Sequence, residues 1–431
     1  MAEVASETDE PQPVASPRKL RRSITLPQAV ALYAGAVIGA GVLILPGVGA
    51  DAAGPASLLA WAFDGLLGVP IALTFAALAG RYPDAGGAAT FTARAFGDAA
   101  GAVVGWSYFV AAAVAQALVV LSGGHYAADA LGLDRPTTFA LAGAMLAVAV
   151  FSNLYGLRVS ARLQLALSAA VAVVLVTATA AALPRVSGSA LTPFVPHGWH
   201  SVGRAAILLF FAFFGWEAIA HLSSEFRDPA RDVPRATLLS ASLVTSIYLG
   251  VAFAVVATRT YGNRTLDRVA VAHVLAATLG VSAKWIAASS AVVIGLGTAN
   301  AFVAATSRLG YALGRDAALP AALARLSGRD VPAVAIGVVG TIAAGGLLLA
   351  FIEGWGADAF LVVPNSLVIV VYVLAMVAGV RLLSGCARLV ALVAAVLTLA
   401  IVPFVGASLV IPAGATVGAL GYRAWRRRRP A

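Results

Sequence analysis

Residues 34–46 read Ala34-Gly35-Ala36-Val37-Ile38-Gly39-Ala40-Gly41-Val42-Leu43-Ile44-Leu45-Pro46. The run carries no charge, which suits a membrane span. Yet Gly39 and Gly41 stand two apart near its middle, each costing about 1 kcal/mol of helix stability against alanine. In lipid, backbone groups freed by an unwound turn must find other partners. A ligand can supply them. The half-helix after a break begins with N–H groups that lack an intrahelical acceptor and with the positive end of its dipole, which together suit a carboxylate. The same glycines also let a neighbouring helix approach closely, since Gly35 and Gly39 fit the small-xxx-small spacing. On this helix alone the two readings stand level.

A second stretch separates them. Residues 210–221 read Phe210-Phe211-Ala212-Phe213-Phe214-Gly215-Trp216-Glu217-Ala218-Ile219-Ala220-His221. Again a glycine interrupts an apolar span, here among aromatic residues and two positions before a carboxylate. Interrupted helices at corresponding places in two halves of a chain point to a transporter's binding site near the bilayer midplane.

The rest of the chain supplies the halves. Of 431 residues, 61% are hydrophobic and 11% charged, against about half and a quarter in soluble domains. A soluble enzyme, a disordered chain and a nucleic-acid-binding protein are excluded. The single cysteine, Cys386, allows neither an intrachain disulfide nor a cysteine-ligated metal. A span needs about 20 apolar residues. Twelve segments qualify: 27–49, 56–80, 99–123, 136–156, 161–183, 203–223, 235–258, 283–306, 333–352, 357–380, 388–403 and 405–422. The last two are short and must turn at Pro403–Gly406, but 388–422 is too long for one span. With the N-terminus inside, 22 of the 29 Lys and Arg residues fall on the inner segments, so both termini are expected in the cytoplasm. The same distribution accounts for the net charge of +10, with Arg426–Arg429 as a topology anchor.

The expected organisation is therefore an all-α integral membrane protein of twelve helices. A polar, disordered cytosolic tail covers 1–26, with no signal-peptide core. One five-helix repeat covers 27–183 and a second, inverted by its odd number of spans, covers 203–383. Two additional helices occupy 388–422 and a basic cytosolic tail 423–431.

Glu217 stands out because a carboxylate inside a membrane is costly and functional by default. It is a candidate for proton coupling or gating; a structural hydrogen bond to unwound backbone is the plainer reading. Asp64, in Trp61-Ala62-Phe63-Asp64-Gly65, is a second candidate for the same role. His221, one turn beyond Glu217, reads as a packing residue, and Asn300 and Asn365 as interhelical hydrogen bonders. An intramembrane enzyme would need a catalytic motif, and H-E-x-x-H, G-x-S-x-G and P-loop patterns are all missing.

Three further stretches carry a resemblance. The second-to-third connection is Arg81-Tyr82-Pro83-Asp84-Ala85-Gly86-Gly87-Ala88 through Ala95-Phe96-Gly97. After the sixth span comes His221-Leu222-Ser223-Ser224-Glu225-Phe226-Arg227-Asp228-Pro229-Ala230-Arg231-Asp232-Val233-Pro234-Arg235-Ala236. After the eighth come Ser307-Arg308-Leu309 and Asp316 through Pro320. Together with the Gly39–Gly41 break these resemble the amino acid–polyamine–organocation superfamily of secondary transporters over nearly the whole chain. Gly215 to Ala236 and Tyr372 to Leu383 most resemble its bacterial L-methionine and branched-chain amino acid exporters.

The resemblance implies the five-plus-five repeat and assigns roles. The substrate carboxylate would meet N–H groups at Ala40 and Gly41 beside Gly39. The ammonium would meet carbonyls near Ile38, Phe211 and Phe214. Phe211 would serve as an aromatic gate, and Phe213, Gly215 and Trp216 would complete or close the site. Two departures matter. A lysine that some proton-driven relatives carry on the fifth span is Val171 here, so the coupling ion is open between a proton, the expected driver, and sodium. Ala36, Val37 and Ile38 are apolar where relatives that carry cations are polar, which favours a neutral, apolar substrate side chain. Glu225, Arg227, Asp228, Arg231 and Arg235 suit a gating network of salt bridges, and equally a solvated loop with positive-inside bias.

The expectation is thus a secondary active transporter of neutral apolar L-amino acids (methionine, leucine, isoleucine, valine) in a bacterial inner membrane. It works by alternating access and in the export direction, without cofactor or metal. Its partners are an amino acid and the bilayer; no nucleic acid is expected, and oligomeric state is open. The alternatives are proton-coupled uptake or exchange of another small amino acid or amine and, from another class, a non-transporting scaffold or receptor.

Overall fold

The computed structural model describes residues 25–82, 86–156, 161–216, 229–280, 282–328 and 330–428. The described residues are helical or irregular, with no strand among them. The first span is two helices, α1 (Leu26–Val37) and α2 (Leu45–Ala53). Thr25 and Gln28 start α1, the Thr25 N–H donating to Gln28 Oε1 at 3.0 Å. Then follow α3 (Ser57–Arg81), a short α4 (Ala88–Phe96), α5 (Asp98–Leu131), α6 (Arg135–Leu154), α7 (Ala161–Ala182) and α8 (His200–Leu209). The second half holds α9 (Pro229–Ala257), α10 (Ala270–Leu279), α11 (Ser282–Arg315), α12 (Ala333–Glu353), α13 (Ala357–Leu382), α14 (Gly385–Ile401) and α15 (Val410–Arg427). Local signals set the ends. Asp134 caps α6 by accepting the Thr137 N–H at 3.0 Å, and α5 and α12 stop at left-handed Gly132 (φ 66°) and Gly354 (φ 68°).

Among the described residues, nine helical stretches are long and apolar enough to cross a membrane. One of them, Gly385–Arg427, has 43 residues; at about 1.5 Å each that is roughly twice the hydrocarbon thickness. It bends at Gly406 (φ 60°, ψ −137°), inside the turn expected at Pro403–Gly406.

The expected and observed ends differ most on two helices. The third span was expected to end at 123 and the eighth at 306, but α5 runs on to Leu131 and α11 to Arg315. The glycines at 123 and 124 serve packing rather than termination. A Cβ on Gly123 would stand 2.6 Å from Met145 Cε, and one on Gly124 2.8 Å from the Thr138 carbonyl oxygen. Such small residues let backbones close up where lipid provides no hydrophobic drive between helices. They place α5 at the centre, against α4, α6, α11, α12, α13 and α15. Helices α4 and α10 fall in segments read as connections.

Candidate functional site

Both expected interruptions are present. After α1 the chain is extended at Ile38 (φ −73°, ψ 94°), makes one 3-10 turn over Ala40–Leu43, and re-enters a helix at Leu45. After α8 comes a 3-10 turn, Phe210–Phe213, followed by extended Phe214 (φ −66°, ψ 141°) and Gly215 at φ 118°. That last conformation excludes other residues on steric grounds, so Gly215 is required by the backbone. Gly39 is not: a Cβ there would meet Thr298 Cγ2 at an ordinary 3.5 Å. The two 3-10 turns pack against each other.

Side chains from other helices take up the carbonyls freed at the breaks. Tyr248 of α9 bridges them, its hydroxyl lying 3.1 Å from the Val37 carbonyl and 3.3 Å from the Ala212 carbonyl. Tyr126 donates to the Leu43 carbonyl at 2.8 Å and Ser168 to the Gly35 carbonyl at 3.0 Å. Asn365 Nδ2 donates to the carbonyls of Ile207 at 2.7 Å and Leu208 at 3.2 Å. Asn300 accepts from Asn153 Nδ2 at 2.8 Å, joining α6 to α11. Both asparagines are therefore interhelical bonders, as expected.

A cavity of about 630 Å³ opens between the interrupted segments. Ile38, Gly39, Phe211, Phe214 and Gly215 line it, with Val37 and Val42. Ala40 and Gly41 lie on the adjoining 3-10 turn. Sequence reasoning missed the rest of the wall: Phe75, Tyr108, Tyr248, Thr298, Phe302 and Tyr372. Tyr372 meets Phe75 and Phe210 edge-on at 5.5 Å each. Aromatic residues recurring on α3 and α13 do not differ in sequence from ordinary packing residues, so no signal marked them. The cavity extends past Gly86, Gly87 and Arg308.

Other expected site residues lie elsewhere. Phe213 is buried against Trp61 (6.1 Å) and Tyr248 (5.4 Å). Trp216 is fully buried, its indole nitrogen 2.8 Å from where a Cβ on Gly68 would stand. Neither lines the cavity. Asp64 is 1% exposed and also away from the cavity, and among the described residues neither of its carboxyl oxygens has a hydrogen-bond partner. Glu217, His221, Glu225, Arg227 and Asp228 lie outside the described residues. The α7 face opposite the first break presents Ser168 and fully buried Val171.

An apolar cavity among membrane-spanning helices, bounded by two segments of unwound backbone, defines a carrier of small molecules. Comparison with known proteins gives the family: the amino acid permease model matches residues 24–425, and the chain belongs to that family. It is 30% identical over 394 residues to the L-methionine/branched-chain amino acid exporter YjeH of Escherichia coli, covering 90% of this chain and 92% of that protein. It is 37% identical over 245 residues to the uncharacterized amino acid permease YecA of Bacillus subtilis, covering 57% of this chain and 58% of that one. It thus spans little more than half the length of the latter relative. The branched-chain amino acid permease BcaP of Bacillus subtilis is 27% identical over 252 residues, 54% of each chain. The protein is a multi-pass membrane permease, not an enzyme, and its family takes amino acids as substrates.

Proposed function

We propose that this permease is a secondary active exporter of neutral apolar L-amino acids, methionine, leucine, isoleucine and valine among them, working by alternating access in the bacterial inner membrane. The observation that carries the reading is the cavity wall. It joins both unwound segments, which offer main-chain groups to a zwitterion, to an apolar lining in which Arg308 is the one charged side chain among the described residues. A cationic substrate side chain would be left unpaired there at a cost of several kcal/mol. In this reading the carboxylate meets the N–H groups of Ala40 and Gly41 beside Gly39. The ammonium meets carbonyls near Ile38, Phe211 and Phe214, and Gly215 sets the break.

The chain then has twelve spans in two inverted repeats of five, 27–183 and 203–383, plus 388–422, with both tails (1–26 and 423–431) cytoplasmic. The cavity extends past Gly86, Gly87 and Arg308, towards the connections that collect the basic residues. This is the cytoplasm-facing arrangement, with Trp61, Phe213 and Tyr248 packed on one another on the closed side. A proton drives export, with Glu217 and Asp64 as carriers and Glu225 and Arg227 in the inner gate. The exporter relative supports both substrate class and direction. The branched-chain permease relative supports the class alone, and uptake or exchange is the second reading.

Proteoliposomes loaded with labelled leucine or methionine test the proposal under an imposed pH gradient. Glu217→Gln is expected to keep exchange and lose accumulation; a Gln variant that builds a normal gradient overturns the coupling role. A thermal-shift screen of the purified protein against the twenty amino acids, with and without sodium, is expected to single out the apolar set. Stabilisation by lysine or arginine instead would refute the assignment.

A further inference from the structure

A second cavity, of about 310 Å³, lies at the ends of α7 and α9 beside α10. Arg185, Arg259 and the hydroxyl residues Ser187, Ser189, Thr258 and Thr260 line it; the remainder is alanine, and no carboxylate contributes. Two guanidinium groups share a small space without a counter-charge. The Arg185 side chain has no hydrogen-bond or ion-pair partner among the described residues.

The backbone at Arg259 adds an independent observation. The end of α9 closes by the Schellman pattern, Thr260 N–H to the Val255 carbonyl at 3.0 Å and Arg259 N–H to the Val256 carbonyl at 3.1 Å. Arg259 is thereby held at φ 52°, in the left-handed region that suits glycine. Helices α5 and α12 close with the same bond and use Gly132 and Gly354 there; α11 uses Ala317. Only α9, among these described ends, places a long cationic side chain on the strained residue. An outlier maintained in this way points to a role for its side chain. The guanidinium is braced by a 2.6 Å bond from Nη2 to the Ser189 carbonyl, which uses one of its five N–H groups.

We propose that Arg185 and Arg259 form a binding site for a phosphate oxyanion, occupied in the membrane by the phosphodiester of an anionic phospholipid. Two arguments favour the lipid source. The apolar stretches Leu165–Arg185 and Arg231–Ala257 both end at this cavity, so it stands at headgroup level. Exposed Val173, Val176 and Leu183 continue from it down one face of the α7 segment, a track for an acyl chain. A zwitterionic headgroup would add a cation next to two arginines and is disfavoured.

The test uses the full-length protein in detergent, with thermal unfolding and native mass spectrometry. The probes are short-chain phosphatidylglycerol, short-chain phosphatidylcholine and inorganic phosphate. Phosphatidylglycerol is expected to raise the melting temperature and stay bound through desolvation, with phosphatidylcholine much weaker. Arg259→Gly relieves the left-handed residue, so the variant should melt no lower than wild type without lipid. It should nevertheless bind phosphatidylglycerol at least about tenfold more weakly, as expected for loss of a charge-assisted contact. Arg185→Gln, which leaves that turn untouched, should weaken binding in the same way. Stabilisation by inorganic phosphate that needs both arginines also supports the site and assigns its occupant to free anion. Undiminished lipid binding in both variants, or no response of wild type to either anion, overturns it and leaves the arginines as helix caps.

Discussion

Replacing Tyr248 with Phe tests whether the two unwound segments act as one site. The substitution removes one oxygen and keeps the ring, so the edge-on contacts with Trp61 at 5.3 Å and Phe213 at 5.4 Å survive. Two buried carbonyls, Val37 and Ala212, then lose the hydroxyl between them. A buried acceptor left unsatisfied costs about 1–3 kcal/mol. The hydroxyl has a single proton and satisfies one of the two at a time, so the loss is that of one acceptor, about 1–3 kcal/mol. If substrate binds only when both breaks are held in register, affinity for leucine or methionine should fall roughly 5- to 150-fold. Isothermal titration of the purified variant measures this directly. A melting curve run alongside shows whether the protein remains folded, and Tyr248→Ala should be worse in both because it also removes the ring. A Phe variant that is folded and binds with wild-type affinity refutes the idea that Tyr248 couples the breaks.

Four more outcomes are expected. Gly39→Ala should fold and bind, because its Cβ has room against Thr298, whereas Gly215→Ala must abandon φ 118° at about 1–3 kcal/mol and lose substrate binding; equal behaviour of the two in a binding assay contradicts the geometry. Asn365→Leu leaves the carbonyls of Ile207 and Leu208 unpaired and should destabilise by about 1–3 kcal/mol, measured as a lowered melting temperature. Asp64→Asn keeps the shape while removing an unpartnered buried carboxyl; it should melt no lower than wild type yet fail to accumulate substrate against a gradient in proteoliposomes, and full accumulation would remove Asp64 from the coupling path. Asp267, in the connection before α10, is raised to about 6, first by burial and then by nearby Asp51, with the Gly262 N–H bond opposing. Its folded value lies above its unfolded one, so its contribution favours folding at low pH and is lost as pH rises through about 6. Asp267→Asn should therefore match wild type near pH 4 and melt higher than wild type above pH 7.

The breaks were legible in the sequence because each carries a local mark, glycine within an apolar run, although the backbone demands the glycine at Gly215 (φ 118°) and not at Gly39. What holds the breaks was not legible, because it comes from far along the chain. Tyr248 is 211 positions from Val37, Asn365 is 158 from Ile207, and Tyr126 is 83 from Leu43. A tyrosine or asparagine in a hydrophobic span carries no mark of which carbonyl it will meet. The division of the aromatic cluster was not legible for a different reason. Phe211, Phe213 and Trp216 were expected to act together at the site, yet Phe211 and Phe214 line the cavity while Phe213 and Trp216 pack against α3. Phe214 meets Phe210 at 5.9 Å, as neighbours four apart on a helix would, and it also meets Phe211 at 5.0 Å. The 3-10 turn ends at Phe213, and Phe214 (φ −66°, ψ 141°) and Gly215 (φ 118°) then turn the chain out of it. No single helical period relates 211 to 214 or 213 to 216, so the sides they take, the cavity for Phe211 and Phe214 and α3 for Phe213 and Trp216, follow from this irregular backbone. The local loss of α-geometry at this break thus also decides which rings line the cavity.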